Sequence, residues 1–459
     1  CITKGRDQKK MFIINFFTVL FGKLMVGVLH LLGKNAGNLP GLVLWTVNKK
    51  CLKAFKPDCP IIAVTGTNGK TSVTNFLSHM FEKSGNGELK IITNHEGNNL
   101  DTGICSLLLS HCTMTGRIHA DYLVLEIDES HVPVVFSQLK LETLVVLNFF
   151  RDQLDRNGEV ETLILKVKKF CETFEGNLIL NGDDPNTARL GLANPDNRNV
   201  KYFSVDRYRY ATDSLHEAGE GRFCPVCGHA LKYEYYQYSH IGKFRCPECG
   251  YGNNPIYTRF TDIDLDKPSF TADGTEYRTA GNSIYYMYNL CAVYSVAKLY
   301  GIDERIIRET FEGFQVNNGR MERFRYKNSE LMLNLAKNPV GANMTVRILN
   351  ECEGEKELMF VLNDNIADGL DVSWIWDINF SVFKNVTRVI TSGTRAYDIA
   401  VRIKCSGYDA SKIKVCPELD EAVKELFSTD GRKFAVANYT AVQPVRSALG
   451  RFIGGGSND

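Results

Sequence analysis

Residues 60–72 read PIIAVTGTNGKTS, and this run constrains the fold more than any other stretch of the chain. Pro60-Ile61-Ile62-Ala63-Val64 is apolar and β-branched, which suits a strand buried on both faces. Thr65-Gly66-Thr67-Asn68-Gly69 is a loop of small residues, and Lys70-Thr71-Ser72 opens a helix. That order makes a phosphate cradle. Glycines let backbone N–H groups approach phosphates, and the helix start adds the positive end of its dipole. A lysine there reaches terminal phosphates and a hydroxyl can ligate Mg²⁺. Gly66, Thr67, Asn68, Gly69, Lys70 and Thr71 are therefore expected to hold ATP, with Thr71 on Mg²⁺. The strict P-loop pattern places a glycine where this chain has Val64, so the loop is a variant.

A chain of 459 residues exceeds what one core usually holds, and two or three domains are expected. With 54 basic against 53 acidic residues the net charge is +1, which argues against bulk attraction to nucleic acid. After the cradle, strands at 91–93, 122–127, 143–147 and 177–180 and a helix at 163–174 alternate. Such alternation predicts a mostly parallel α/β sheet covered by helices on both faces. Near residue 205 the pattern breaks into an aromatic, cysteine-bearing insert that runs to about 255. Helices at 286–300 and 303–314 close this part. A second, Rossmann-like α/β unit follows, with strands at 358–362, 386–391, 413–415 and 434–437. The expected domains are an apolar helical segment at 1–57, an ATP-binding domain at 58–317 with an insert at 221–255, and a C-terminal domain at 318–459.

Lys4, Arg6, Lys9 and Lys10 precede an apolar stretch from Met11 to Leu32. Within it, Asn15, Thr18, Gly22, Lys23, Gly27, His30 and Lys34 recur mostly at steps of three or four. That spacing lays polar and small residues along one helical stripe. A helix packed on its own domain, or lying in a membrane interface, fits this better than one that spans lipid.

Three further clusters carry chemistry. Glu126, in LVLEIDES, stands at the carboxyl end of an apolar strand, where a Mg²⁺ ligand is natural; Asp128 and Glu129 compete for the role. Cys224-Pro-Val-Cys227 and Cys246-Pro-Glu-Cys249 offer four thiolates with the spacing of a structural zinc ribbon. Four sulfurs leave no position for a catalytic water, so the expected Zn²⁺ is structural, and the aromatics of 233–238 pack the insert. The other ten of the 14 cysteines follow no disulfide framework, which fits a reducing cytosol. Last, LNDNIADGLDVSWIWD at 362–377 gathers Asp364, Asp368, Asp371 and Asp377 at a strand end. Several acids there read as a site rather than a core, against the alternative of a solvated acidic loop.

TGTNGKT resembles the loop of the Mur ligases and folylpolyglutamate synthetases, which make amide bonds through an acyl phosphate. VVLNFFRDQLDRNGE at 145–159 resembles a Mur-ligase segment. It keeps Asn148, Asp152 and Asp155 but has Gln153 where a metal-holding His is usual. Lys168 stands where several Mur ligases carry a carbamylated lysine, although KVKKF also reads as a solvated helix face. By the same resemblance LNGDDP brings Asn181 and Asp184 near the nucleotide. Asn289, in a segment with Tyr286 replacing an earlier Asn, contacts it, and Arg320 of Gly319-Arg320-Met321-Glu322 holds phosphate. The four-cysteine insert, the 362–377 run, NLAKNP, TSGTRA and ANYTA narrow the resemblance to the MurT family over roughly 40–445.

That resemblance implies ATP-dependent amidation of the D-isoglutamate α-carboxylate in the lipid II stem peptide, through an acyl phosphate, in peptidoglycan synthesis. Ammonia would come from a GatD-type glutaminase in a heterodimer. Asp371, with Asp364 and Asp368 behind it, would supply the acid beside that partner's Cys-His pair. A UDP-binding N-terminal domain is not expected, and the implied location is cytoplasmic and peripheral at the inner face of the membrane. Two rivals remain: an amino-acid-adding Mur or folylpolyglutamate-type ligase, and a zinc-ribbon ATPase that binds nucleic acid.

Overall fold

The structure is a computed structural model that describes residues 16–28, 31, 38–94, 98–151, 159–214, 220–314 and 322–455. The chain falls into two compact units, each built on its own sheet.

In the first unit β1 (Ile61–Thr65) is buried along its whole length and runs into α1 (Lys70–Ser84). There follow β2 (Ile91–Thr93), α2 (Asp101–His111), β3 (Tyr122–Glu126), β4 (Thr143–Val146), α3 (Val160–Cys171), β5 (Asn177–Asn181) and β6 (Val200–Val205). The insert contributes the hairpin β7 (Lys232–Tyr238) and β8 (Ile241–Arg245). The chain then returns as β9 (Ile256–Asp264), β10 (Ser269–Ala272) and β11 (Thr275–Arg278) before α4 (Ile284–Leu299) and α5 (Glu304–Gly313). Among the described residues the strand order is β11-β10-β9-β6-β5-β4-β1-β3-β2, parallel from β9 through β2. The central strands β1, β3 and β4 are covered on both faces, which is why they are rich in Val, Ile and Leu, whereas β9 alternates buried Thr258 and Phe260 with exposed Arg259. Phe76 of α1 packs edge-on against Tyr286 and Phe311, tying α1 to α4 and α5.

Sequence reading missed β6 and the antiparallel extension β9–β11. The extension turns at Asp273-Gly274, where φ is 47° and 84°. Positive φ at both central residues is the two-residue hairpin turn that Asp-Gly favours, so its signal was present in the sequence.

The second unit holds β12 (Glu322–Tyr326), β13 (Ser329–Leu335), α6 (Pro339–Glu351), β14 (Lys356–Val361) and β15 (Val386–Ser392). It continues with α7 (Ala396–Cys405), β16 (Ile413–Val415), α8 (Leu419–Leu426), β17 (Gly431–Ala437) and α9 (Tyr439–Gly455). The order is β12-β13-β17-β14-β15-β16, with β12 alone antiparallel among the described strands. Leu331, Leu333, Met359, Val361, Ile390, Leu426, Val445 and Leu449 form its core.

Residues 16–28 are helical, as the N-terminal stripe suggested. Val19 and Gly22 face inward, and a Cβ on Gly22 would stand 2.7 Å from Leu109 and 2.9 Å from Leu44. Gly22 of the stripe thus packs on the domain beside Val19, whereas Gly27 of the same stripe is exposed with open space around it. Among the described residues no helix is long and apolar enough to cross a membrane.

Candidate functional site

The cradle sits at the carboxyl ends of β1, β3 and β4, where open α/β sheets bind ligands. Register brings Val64 beside Glu126 and Thr65 beside Val146. Gly69 caps α1 with φ 96°, and a Cβ there would come within 2.3 Å of Asn289 Oδ1. Only glycine fits, for conformation and for space. No acidic side chain occupies the first turn of α1, leaving its N–H groups for an anion. Lys70 Nζ, buried, donates to Gly66 O at 2.6 Å and pairs with Glu129 Oε2 at 3.4 Å.

The three competing acids separate by environment. Asp128 accepts Ser130 N at 3.0 Å and Ser130 Oγ at 2.6 Å. Burial pushes its carboxyl up, but Lys70 and Ser130 outweigh that and hold it below the usual range. Glu129 faces Lys70. Glu126 is buried, with Oε1 accepting Asn99 Nδ2 at 2.8 Å, while its Oε2 is buried without a hydrogen-bond partner. Asn94 fixes the Glu126 backbone through two bonds of 2.8 Å. A buried, unsatisfied carboxylate oxygen on the strand beside β1 fits a divalent cation. Asn94 and Asn99 were missed from the sequence because neither belongs to a spacing motif.

Asn148 lies directly against the loop. Its Oδ1 accepts Asn68 N and its Nδ2 donates to Asn68 O, both at 2.9 Å, while Thr67 N donates to Asn148 O at 2.9 Å. Asn289 is buried with its Nδ2 unpartnered, as a ligand-facing amide would be. Asn181 Nδ2 donates to Leu147 O at 3.0 Å, and Asp184 Oδ2 accepts Phe149 N at 3.0 Å. Gly66, Thr67, Asn68, Gly69, Lys70, Thr71, Glu126, Asn148 and Asn289 are thus brought together. Lys168 lies half-buried on α3, beside the inward stripe of Leu163, Ile164 and Val167. Arg320, Asp152, Gln153 and Asp155 lie outside the described residues.

Cys224, Cys227, Cys246 and Cys249 converge until all four Sγ atoms lie within 4.8 Å of one another. Cys224–Cys249 and Cys227–Cys246 are separated by 3.5 and 3.4 Å. Tetrahedral zinc with thiolates at 2.3 Å would set sulfurs about 3.8 Å apart, so the set fits Zn²⁺. Backbone N–H groups of Cys249 and Glu248 lower the Cys246 thiol, while its neighbours Cys227 and Cys249 are raised, as expected of thiols sharing one crowded site. Tyr233 stacks on Tyr236 at 4.1 Å, and Tyr235 and Tyr238 are buried, so the aromatics pack the insert.

In the second unit the acidic run follows β14 and divides by burial. Asp368 is buried, accepting Thr440 N at 2.8 Å and the Thr440 hydroxyl, which fixes the start of α9. Asp364 accepts Thr394 Oγ1 at 2.8 Å and pairs with Arg395 at 3.4 Å. Asp371 is exposed, and the Ser373 N–H that it accepts at 2.7 Å holds its carboxyl below the usual range. Asn438 bridges to the Asn363 backbone at 3.1 and 2.6 Å, bracing the loop.

Two family models match: Mur ligase middle domain over residues 64–245 and MurT ligase C-terminal over 335–442. A Staphylococcus aureus protein named lipid II isoglutaminyl synthase (glutamine-hydrolyzing) subunit MurT is 32% identical over 93% of this chain and 95% of its own. A Streptococcus pneumoniae protein of the same name is 32% identical over 94% and 96%. The chain belongs to the MurT family. The Mur-ligase fold is shared more widely. A pseudomurein peptide ligase type C from Methanothermus fervidus superposes with TM-score 0.67 at 22% identity, covering 91% of this chain and 85% of its own. Within the MurT family, the middle-domain match runs from the cradle into the four-cysteine insert, and the C-terminal match contains the whole 362–377 run.

Proposed function

We propose that this chain is the synthetase subunit of a glutamine-dependent enzyme that amidates the D-isoglutamate α-carboxylate of the lipid II stem peptide. The observation that carries this reading is identity along nearly the full length to subunits named for that synthase. The proposed domains are a helical segment at 1–57, an ATP-binding domain at 58–317 with its insert at about 221–255, and a C-terminal domain at 318–459. In the first step the carboxylate oxygen takes the γ-phosphoryl group of ATP, and ADP departs. Ammonia then attacks the acyl carbon, phosphate leaves with the C–O electron pair, and the nitrogen sheds a proton to give the amide.

Lys70 and the N–H groups of the cradle neutralise charge building on the phosphoryl oxygens, which is where such sites gain most of their rate. Mg²⁺, when bound, shields the phosphate oxygens, and Thr71 and Glu126 are the residues that would hold it. Asn148 fixes the loop, while Asn289 and Arg320 are assigned to the nucleotide. The partner supplying ammonia is a glutaminase of the GatD type. Exposed Ile366, Leu370 and Trp376 flank Asp371 and give such a partner an apolar footing. The test supplies lipid II, ATP and Mg²⁺, with ammonium in one reaction and glutamine plus the glutaminase in another. Mass spectrometry should show carboxylate becoming carboxamide in both. ATP use that depends on an added amino acid, with no carboxamide, would point to the ligase alternative.

A peripheral position at the membrane is part of the proposal. Phe17, Phe21, Leu24, Val28 and Leu31 are all exposed at steps of four and three, on the side of the helix away from Val19 and Gly22. Exposed Lys49, Lys50 and Lys53 supply positive charge for anionic headgroups. Each large apolar side chain taken from water contributes about 1.5–3 kcal/mol, so a single reversal of polarity should be felt. Leu24→Glu is expected to reduce sedimentation with anionic vesicles about tenfold or more while leaving turnover on a soluble substrate analogue intact. Undiminished sedimentation of the variant would remove this helix from the membrane contact.

A further inference from the structure

The four-cysteine insert does more than pack upon itself. From its hairpin, Gly242 N donates to Asp183 O at 2.9 Å, and the Tyr251 hydroxyl donates to Pro185 O. Tyr251 O in turn accepts the Cys246 N–H at 2.7 Å, so this contact begins one hydrogen bond from a zinc ligand. Between β7 and β8 stands His240, 1% exposed, with Nε2 at 3.2 Å from Oδ1 of the fully buried Asp184. The Tyr233 hydroxyl donates to His240 O at 3.1 Å and holds the His240 backbone in the turn.

Asp184 is a junction. Its Oδ1 also accepts Asn186 N at 2.8 Å, and its Oδ2 accepts Thr187 Oγ1 at 2.7 Å and Phe149 N at 3.0 Å. The next residue back is Asn148, whose amide and carbonyl hold the backbone of Thr67 and Asn68. A path of hydrogen bonds, joined through the backbone at Asn148–Phe149, therefore runs from the ribbon to the phosphate loop, all within one compact unit. A buried carboxylate that loses one donor is left partly unsatisfied, and its other partners shift to compensate.

We infer that His240 is a positioning residue for the nucleotide site, through which the folded four-cysteine ribbon holds Asp184 and the Asn148–Phe149 segment against the phosphate loop. Zinc loading and ATP affinity are then linked, although the metal is remote from the phosphates in the chemistry. The inference rests on the cradle being the ATP site, as proposed above.

The test measures ATP affinity by calorimetry, zinc per chain by mass spectrometry, and thermal stability, all on the full chain. His240→Ala should keep one zinc per chain yet bind ATP about tenfold more weakly, the loss that one buried hydrogen bond to a charge supports. His240→Gln offers an amide donor and should return affinity to within about threefold of the parent. Tyr251→Phe keeps the ring and removes one hydroxyl, so it should fold and weaken ATP binding by about threefold. Stripping zinc with a chelator should weaken ATP binding by about tenfold or more, reversibly on adding zinc. A lowered melting temperature with unchanged ATP affinity in either His240→Ala or Tyr251→Phe overturns the inference and leaves the ribbon a scaffold. A parent chain that fails to bind ATP would instead sink the reading of the cradle.

Discussion

Lys70→Met should lower ATP-dependent amidation by roughly 10²–10³-fold, whichever source of ammonia is supplied. The lysine is buried at the mouth of the loop, where Gly66 O and Glu129 hold its ammonium at 2.6 and 3.4 Å. Methionine keeps the length of the stem and removes the charge, so the loss reports phosphate stabilisation more than packing. Glu129 loses its ion pair in that variant, and a buried carboxylate deprived of its cation destabilises a fold by several kcal/mol in unfavourable cases. The double variant Lys70→Met/Glu129→Gln answers this. It should recover the melting temperature lost by the single variant and recover none of the turnover. Amidation by the single variant within about tenfold of the parent would mean that Lys70 does not serve the phosphates.

The cradle was legible because all its information is local. Strand, loop, lysine and hydroxyl are contiguous, and glycine at position 69 is dictated by backbone geometry and by Asn289 alike. The four cysteines were legible for a related reason, since two short knuckles carry their own spacing. What escaped is non-local or amphipathic. In β12 exposed and half-buried residues alternate, as at a sheet edge, and no apolar run announces it. His240 meets Asp184 across 56 positions of sequence, and its own neighbours, Ser239 and Ile241, reveal nothing of that contact. Nor could the sequence distinguish the acids of 362–377. Asp368 and Asp371 are three positions apart, yet one is spent inside the fold on Thr440 and the other faces water. Burial decided that difference, and burial there depends on α9, which arrives some seventy residues later.

Asp371→Asn should therefore separate the two halves of the reaction. Glutamine-driven amidation should fall by roughly 10³–10⁴-fold, the scale expected when the acid beside a catalytic histidine becomes an amide. Ammonium-driven amidation should stay within about twofold, because the cradle residues Gly66 to Thr71, with Glu126, Asn148 and Asn289, all belong to the other unit of the chain. The carboxyl is exposed and ionised at neutral pH, and the Ser373 N–H holds it further below the usual range, which suits an acid that must orient and stabilise a partner's imidazolium. The Asn side chain is isosteric and can still accept the Ser373 bond, so the loop itself should hold its shape. Asp368→Asn is the control. It weakens the clamp on Thr440 at the start of α9 and should lower the melting temperature, reducing both activities together. If Asp371→Asn reduces both activities equally while folding and ATP binding survive, Asp371 belongs to the synthetase chemistry. If Asp364→Asn gives the split instead, the acid offered to the partner is the one now paired with Arg395.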